Sequence, residues 1–182
     1  MDKYLGDDDK TARFEAMTMP HLDAAYNLAR WLTRNEHDAD DLVQSAYLRA
    51  FRFADGFRGG DVRAWLLTIV RHTYYTALRD GQAQRGDVSY DEELHGDGEQ
   101  EDDAGDPAAI AASRDTCRTV NAALAQLPQA FREVLVLKEM DDLSYKQIAQ
   151  VTETPIGTVM SRLARARKLL LAYLKHGEQD GL

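Results

Sequence analysis

Asp142 to Leu174 reads DLSYKQIAQVTETPIGTVMSRLARARKLLLAYL, and this stretch decides the fold. It divides into two helices at a tight corner. Ser144 suits an N-cap, because its hydroxyl can accept a free first-turn amide, and a first helix over Ser144–Val151 turns Ile148 and Ala149 inward. Thr152–Pro155 forms the corner: proline ends one helix but is well placed at the start of the next. In the second helix Ile156, Val159, Leu163, Ala166 and Leu170 recur at three or four residues, the spacing of a single buried stripe.

The opposite face of that second helix carries Thr158, Ser161, Arg162, Arg165 and Lys168, and Thr154–Lys175 holds five Lys or Arg and no acidic residue. Hydroxyls and cations on the second of two angled helices are what a major-groove reader needs. Phosphate contacts position such a helix, and a few side chains near its N-terminus reach base edges. A merely solvated face would ordinarily mix in Glu or Asp, and a structural αα-corner gives no reason for charge of one sign.

Working outward, 182 residues suffice for one medium domain or two small ones. The lone cysteine, Cys117, has no partner for an internal disulfide and no metal-binding spacing around it. That predicts a reducing, cytoplasmic setting without structural zinc, and a small core residue at Cys117. No apolar run is long enough to cross a membrane, so no membrane insertion is expected, and no secretory leader is evident. Met1–Lys10, MDKYLGDDDK, is set aside from the fold reasoning as an expression tag or a natural acidic arm.

A net charge of −9 looks wrong for a nucleic-acid binder until it is divided. Asp80–Asp106 holds eleven acidic residues against one basic residue, Arg85, a local −10, so the rest of the chain sums to +1. This glycine-rich stretch has few apolar residues and no usable period, the composition of a linker. Such a linker is either a passive tether or a shield for the basic helix.

Upstream, Leu22, Ala25, Tyr26, Ala29 and Leu32 predict a helix from Pro20 to about Asn35, with Trp31 at its edge or in its core. After a break at Asn35–His37, Asp38 is the expected N-cap of a helix over Ala39–Phe53. Its core side is Leu42, Val43, Ala46, Ala50 and Phe51, while Asp41, Gln44, Ser45 and Leu48 emerge elsewhere. Asp40 and Asp41 favour the positive end of that helix, which by itself is ordinary capping. The glycine-rich Ala54–Asp61 loop leads to a third helix over Asp61–Leu78, buried through Val62, Trp65, Leu66, Ile69 and Val70. Arg58, Arg63, Arg71, His72, Tyr74 and Tyr75 interleave cations with aromatics, a pattern suited to single-stranded nucleic acid but weak alone. Beyond the linker, helices are expected from Pro107 through Ala125 and over Gln129–Met140, with Val120, Ala123, Leu124, Leu127, Phe131, Val134, Leu135 and Leu137 inward. No strand pattern occurs, so the expected class is all-α in two small helical domains.

These segments resemble a known family. LPQAFREVLVLKEMDDLSYKQIAQVTETPIGTVMSRLARARKLL, from Leu127, is similar to region 4 of the extracytoplasmic-function (ECF) sigma factors. DADDLVQSAYLRAFRFADGFRGGDVRAWLLTIVRHTYYTALRD, from Asp38, is similar to their region 2. The resemblance implies region 2 over 11–79, a linker over 80–106, region 4 over 107–176 and a tail over 177–182. It implies that Asp38, Asp40, Asp41, Gln44 and Leu48 dock on the β′ clamp helices of core RNA polymerase. Phe57, Arg58, Asp61, Arg63, Arg71, His72 and Tyr75 would take unstacked bases of the −10 element, since flipping a base out costs a few kcal/mol that stacking and hydrogen bonds must offset. Thr158, Met160, Ser161, Arg162, Arg165 and Lys168 would meet the −35 element, while the apolar face of region 4 meets the β flap. An anti-sigma factor is an implied partner, and no cofactor, metal or catalytic residue is. His72 stands where the family commonly has asparagine, Thr76 where it has an acidic or amide residue, and Met160 where it often has a basic one.

Two other classes compete with this reading. A recombinase or nuclease needs a preorganised nucleophile or carboxylate cluster, and here the acids concentrate in a linker that cannot preorganise one. A helix-turn-helix repressor or activator acting without core polymerase, typically a dimer on a palindrome, gives the region-2-like residues nothing to do.

Overall fold

The computed structural model describes residues 5–85 and 107–179, and these form eight α-helices with no strand among them. The first half contains α1 (Leu5–Thr18), α2 (Leu22–Thr33), α3 (Glu36–Phe53) and α4 (Val62–Arg85). The second contains α5 (Pro107–Gln126), α6 (Gln129–Glu139), α7 (Tyr145–Thr152) and α8 (Ile156–Gln179). The all-α class read from the sequence is the observed one. Most of the expected acidic linker, from Gly86 to Asp106, lies outside the described residues.

Helices α2, α3 and α4 pack around small side chains. Ala25 and Ala29 on α2, Ala39, Ala46 and Ala50 on α3 and Ala64 on α4 are fully buried, so the backbones approach closely while Leu28, Leu66, Leu67 and Val70 fill the centre. The second half buries Leu127, Val134, Leu137, Leu143, Ile148, Val151, Val159, Leu163 and Ala166. The two cores are continuous: α4 lies against α7 and α2 against α6.

Several expectations change. Of the ten residues set aside as a tag or arm, Leu5–Lys10 supply the start of α1. That helix is anchored by Phe14, which meets Phe51 edge-on at 5.3 Å and Tyr47 at 6.1 Å, and by an ion pair of 2.6 Å between Lys10 and Asp55. Asn35, not Asp38, caps α3: its Oδ1 accepts the Asp38 amide at 3.1 Å. Arg34 in the left-handed region (φ 56°) turns the chain sharply enough for the helix to begin at Glu36. The third predicted helix continues past Leu78 to Arg85, because Gln82–Arg85 are good helix formers and one glycine, Gly81, costs only about 1 kcal/mol. Leu22 and Ile156 are exposed, each opening its helix before the buried stripe starts. Cys117 is also exposed. Its place on the α5 stripe is right in phase, but it lies a turn ahead of Val120, where cover begins.

The Tyr47 hydroxyl donates to the Thr18 carbonyl at 3.1 Å and so ties α1 to α3. Burial, with a smaller contribution from Asp23, pushes this phenol up to about 12. Its contribution is therefore present below the ordinary tyrosine range near 10 and is lost as pH rises toward 12. Tyr47→Phe should cost about 1 kcal/mol, a fall in Tm of roughly 2–4 °C by calorimetry near neutral pH. An unchanged Tm would mean that the α1 anchor rests on Phe14 and the Lys10–Asp55 pair without this hydrogen bond.

Candidate nucleic-acid interface

The corner between α7 and α8 is built by local chemistry. Ser144 Oγ accepts the Gln147 amide at 3.2 Å and Gln147 Oε1 accepts the Ser144 amide at 2.7 Å, a reciprocal cap that satisfies two otherwise free donors. Glu153 ends α7 in the left-handed region at φ 52°. The hydroxyls of Thr152 and Thr154 lie 2.9 Å apart, and Pro155 accepts the first amides of α8, from Thr158 at 2.9 Å and Val159 at 3.1 Å.

With Val159, Leu163 and Ala166 buried, α8 turns Ser161, Arg165 and Lys168 fully outward, with Thr158 and Arg162 half-buried beside them. Met160 is 52% exposed on the flank of this face. Arg167 is held against α6, its Nε and Nη2 donating to Glu139 at 3.1 and 2.7 Å. Among the described residues no carboxylate pairs with Arg165 or Lys168. The result is a cationic face on which Arg165 and Lys168 are uncommitted among the described residues.

A second surface lies on α3. Asp38, Asp40, Asp41, Gln44 and Leu48 are all exposed, and Asp41, Gln44 and Leu48 fall on one side at three- and four-residue steps. His37 lies 3.8 Å from Asp41. Leu48, 65% exposed, is a large apolar side chain left on an acidic face, the composition of a protein-binding rather than a nucleic-acid-binding surface.

The third surface, from the glycine loop along α4, is the one that sequence reasoning described least completely. Gly59 and Gly60 take φ 91° and 115°, conformations that other residues rarely adopt, and bring Phe57 back onto Trp65 with ring centroids 4.9 Å apart. Asp61 caps α4, its Oδ1 accepting the Ala64 amide at 2.9 Å, while its Oδ2 accepts a bond from Gln147 of α7. Although burial pushes the Asp61 carboxyl up, these bonds hold it below the usual carboxylate range. The Arg71 guanidinium lies over the Tyr75 ring at 4.7 Å and donates from Nε to Glu133 of α6 at 2.6 Å. Arg63 faces Asp141 at 3.7 Å, and His72 Nε2 lies 2.9 Å from Glu153. Of the three arginines here Arg58 is exposed and Arg63 and Arg71 are half-buried, while His72 is exposed as well.

Thus Asp61, Arg63, Arg71 and His72 are brought together, but facing the second half of the chain. Their partners Glu133, Asp141, Gln147 and Glu153 were not among the residues singled out from sequence. Glu133 and Asp141 leave only 1% and 2% of their side chains exposed. Burial raises both carboxyls above their ordinary range, against the opposing pull of Arg71 and then Arg162 on Glu133, and of Asn27 and Arg63 on Asp141. No local signal marks these pairs: Arg71 and Glu133 are 62 residues apart. The described residues contain no group of three potential metal ligands and no helix long and apolar enough to cross a membrane.

Comparison with known proteins follows the same division. Residues 17–84 match the family described as Sigma-70 region 2, and residues 117–170 match Sigma-70, region 4. The ECF RNA polymerase sigma factor SigE of Mycolicibacterium smegmatis is 32% identical over 178 residues, 96% of this chain and 66% of that protein. The ECF RNA polymerase sigma-E factor of Haemophilus influenzae is 31% identical over 147 residues, 79% of this chain and 77% of that one. Among solved structures, the sigma factor RpoE in complex with the anti-sigma factor NepR from Bartonella quintana superposes with a TM-score of 0.73 at 28% identity, covering 90% of this chain and 97% of that one.

Proposed function

The chain belongs to the ECF RNA polymerase sigma factors of the sigma-70 family, and on that premise we propose that it binds core RNA polymerase, directs it to promoters and helps open the duplex. The observation that carries this reading is the coexistence, on one chain, of an uncommitted cationic face on the second helix of a helix-turn-helix and an acidic face with an unpartnered leucine on α3. The α8 residues Thr158, Met160, Ser161, Arg162, Arg165 and Lys168 are assigned to the −35 element. Phe57, Arg58, Asp61, Arg63, Arg71, His72 and Tyr75 are assigned to the −10 single strand. Asp38, Asp40, Asp41, Gln44 and Leu48 are assigned to core polymerase.

Phosphodiester chemistry belongs to the polymerase, and this chain supplies binding and placement. An anti-sigma protein is the proposed regulatory partner: the Bartonella relative was solved with one, and the acidic face of α3 carries an exposed leucine, Leu48, that such a partner would cover. A repressor acting without core polymerase accounts for α8 but gives this α3 face no role.

The test is run-off transcription from core polymerase, this protein and the promoter upstream of its own gene. Transcripts should depend on the protein. Asp41→Ala should lower their yield at limiting protein by one to two orders of magnitude, as about 1.5–3 kcal/mol for a hydrogen bond to a charged group implies. If core polymerase never binds and the protein alone footprints a palindrome, the repressor reading replaces this one.

A further inference from the structure

The outward side of α8 is not chemically uniform. Successive residues of an α-helix lie about 100° apart, so with Val159, Leu163 and Ala166 inward the outward positions fall into two bands. One band holds Thr158, Ser161, Arg162, Arg165 and Lys168, the hydroxyls and cations assigned to the −35 element. The other holds Ile156, Met160 and Ala164 at four-residue steps, with Gly157 beside them, and all four are exposed. Ile156 and Met160 are 45% and 52% exposed and take no part in the core. Arg167, next along this side, is taken up by Glu139 of α6, so the band stays apolar. A side chain at Gly157 would meet nothing within 4 Å. The fold therefore gives no reason for glycine there, although glycine weakens a helix. Its effect is to keep the surface beside Ile156 and Met160 low enough for an outside surface to come close.

We propose that Ile156 and Met160 form a thymine-reading strip, packing against C5-methyl groups in the major groove of the −35 duplex and biasing promoter choice toward thymine. This inference rests on the sigma-factor reading and deepens it. In the major groove thymine alone presents an apolar group, whereas guanine, adenine and cytosine present hydrogen-bond donors and acceptors. An apolar side chain laid on those groups takes them out of water without replacing their bonds, which is costly. Laid on a methyl, it removes apolar surface from water on both sides. The strip thus selects by attraction to one base edge and by penalty against the others.

Placement favours DNA over a protein partner. Side chains near the N-terminus of a reading helix reach base edges, and Ile156 opens α8 with Met160 one turn behind. The cations of the neighbouring band suit the phosphates on either side of such an edge. The exposed leucine of α3, by contrast, stands on an acidic face that would repel phosphate. Methionine also suits the role, since its unbranched chain adjusts to the contour it meets. Arginine at the same position would favour guanine, whose O6 and N7 it can grip together. Residue 160 therefore sets which base is preferred.

The test uses holoenzyme, assembled from core polymerase and the full chain, and duplexes randomised over the −35 element. The pool is made once with thymine and once with uracil, which lacks only the methyl group. Bound duplexes from the thymine pool should be enriched in thymine at fixed positions, and the uracil pool should show no such enrichment. In a single enriched duplex, uracil at those positions should weaken binding by about fourfold per methyl, the worth of one buried carbon. Met160→Ala and Ile156→Ala, both at exposed positions, should bring the thymine-to-uracil affinity ratio toward one. Arg165→Ala should weaken both forms and keep the ratio. Equal binding of the two forms by the wild type would overturn the proposal, as would an undiminished ratio in both alanine variants. Loss of affinity for core polymerase in those variants, with the base preference intact, would make the strip a protein contact and also overturn it. Holoenzyme that retains neither pool would remove the sigma-factor reading and this inference with it, whereas retention with a ratio of one removes this inference alone.

Discussion

Arg165→Ala should weaken binding of the reconstituted holoenzyme to duplex DNA carrying the −35 element by about 5- to 150-fold, the range that 1–3 kcal/mol for one good base or phosphate contact implies. Arg165 is the cleanest probe of α8 because it is exposed and has no carboxylate partner among the described residues. Two outcomes separate its roles by fluorescence anisotropy across a salt series. If Arg165 contacts phosphate, affinity falls for all sequences and the salt slope shrinks by roughly one. If it contacts a base edge, discrimination at one position relaxes instead. Unchanged binding would exclude Arg165 from the interface. Arg162 is a poorer first choice: it is half-buried, and its charge also opposes the burial that raises the Glu133 carboxyl, so its removal touches both DNA contact and the surroundings of Glu133.

Leu163→Ala should destabilise the protein by about 2–5 kcal/mol, the cost of a cavity at a fully buried leucine. Leu163 is 1% exposed and sits in the α8 core stripe, away from the cationic face. Typical domain stabilities are 5–15 kcal/mol, so the loss should be evident in urea unfolding as a lower midpoint. DNA affinity at low temperature, where the variant remains folded, should change little. A variant that unfolds normally but no longer binds would show that α8 is positioned for reading by finer packing than its burial suggests.

The helix-turn-helix was legible because its determinants are local. Ser144, the threonines around the corner, Pro155 and the stripe Val159–Leu163–Ala166 are separated by no more than a turn or two, and each acts on its near neighbours. The acidic α3 face was legible for the same reason. What escaped was cross-chain: α1 shows little amphipathic pattern and depends on one aromatic, Phe14, finding Tyr47 and Phe51. Cys117 and Ile156 have the right phase but lie beyond the elements that cover their neighbours. The contact of α4 with α6 is the extreme case, since periodicity says which way Arg71 points along α4 and nothing about Glu133 arriving opposite it. Local pattern fixes faces; tertiary pairing decides what they meet.

Helix α6 shows what that pairing implies for the chain in solution. Its middle is buried almost all round, yet Glu133 stands among Val134, Leu135 and Val136. A leucine at that position would make a drier and firmer contact. It would also leave a sticky apolar patch on any molecule in which that surface was bare. An ionisable group there keeps the α6 surface compatible with water wherever it is uncovered. The carboxyl at the centre of α6 thus bears on the solubility of the chain as well as on the strength of its packing.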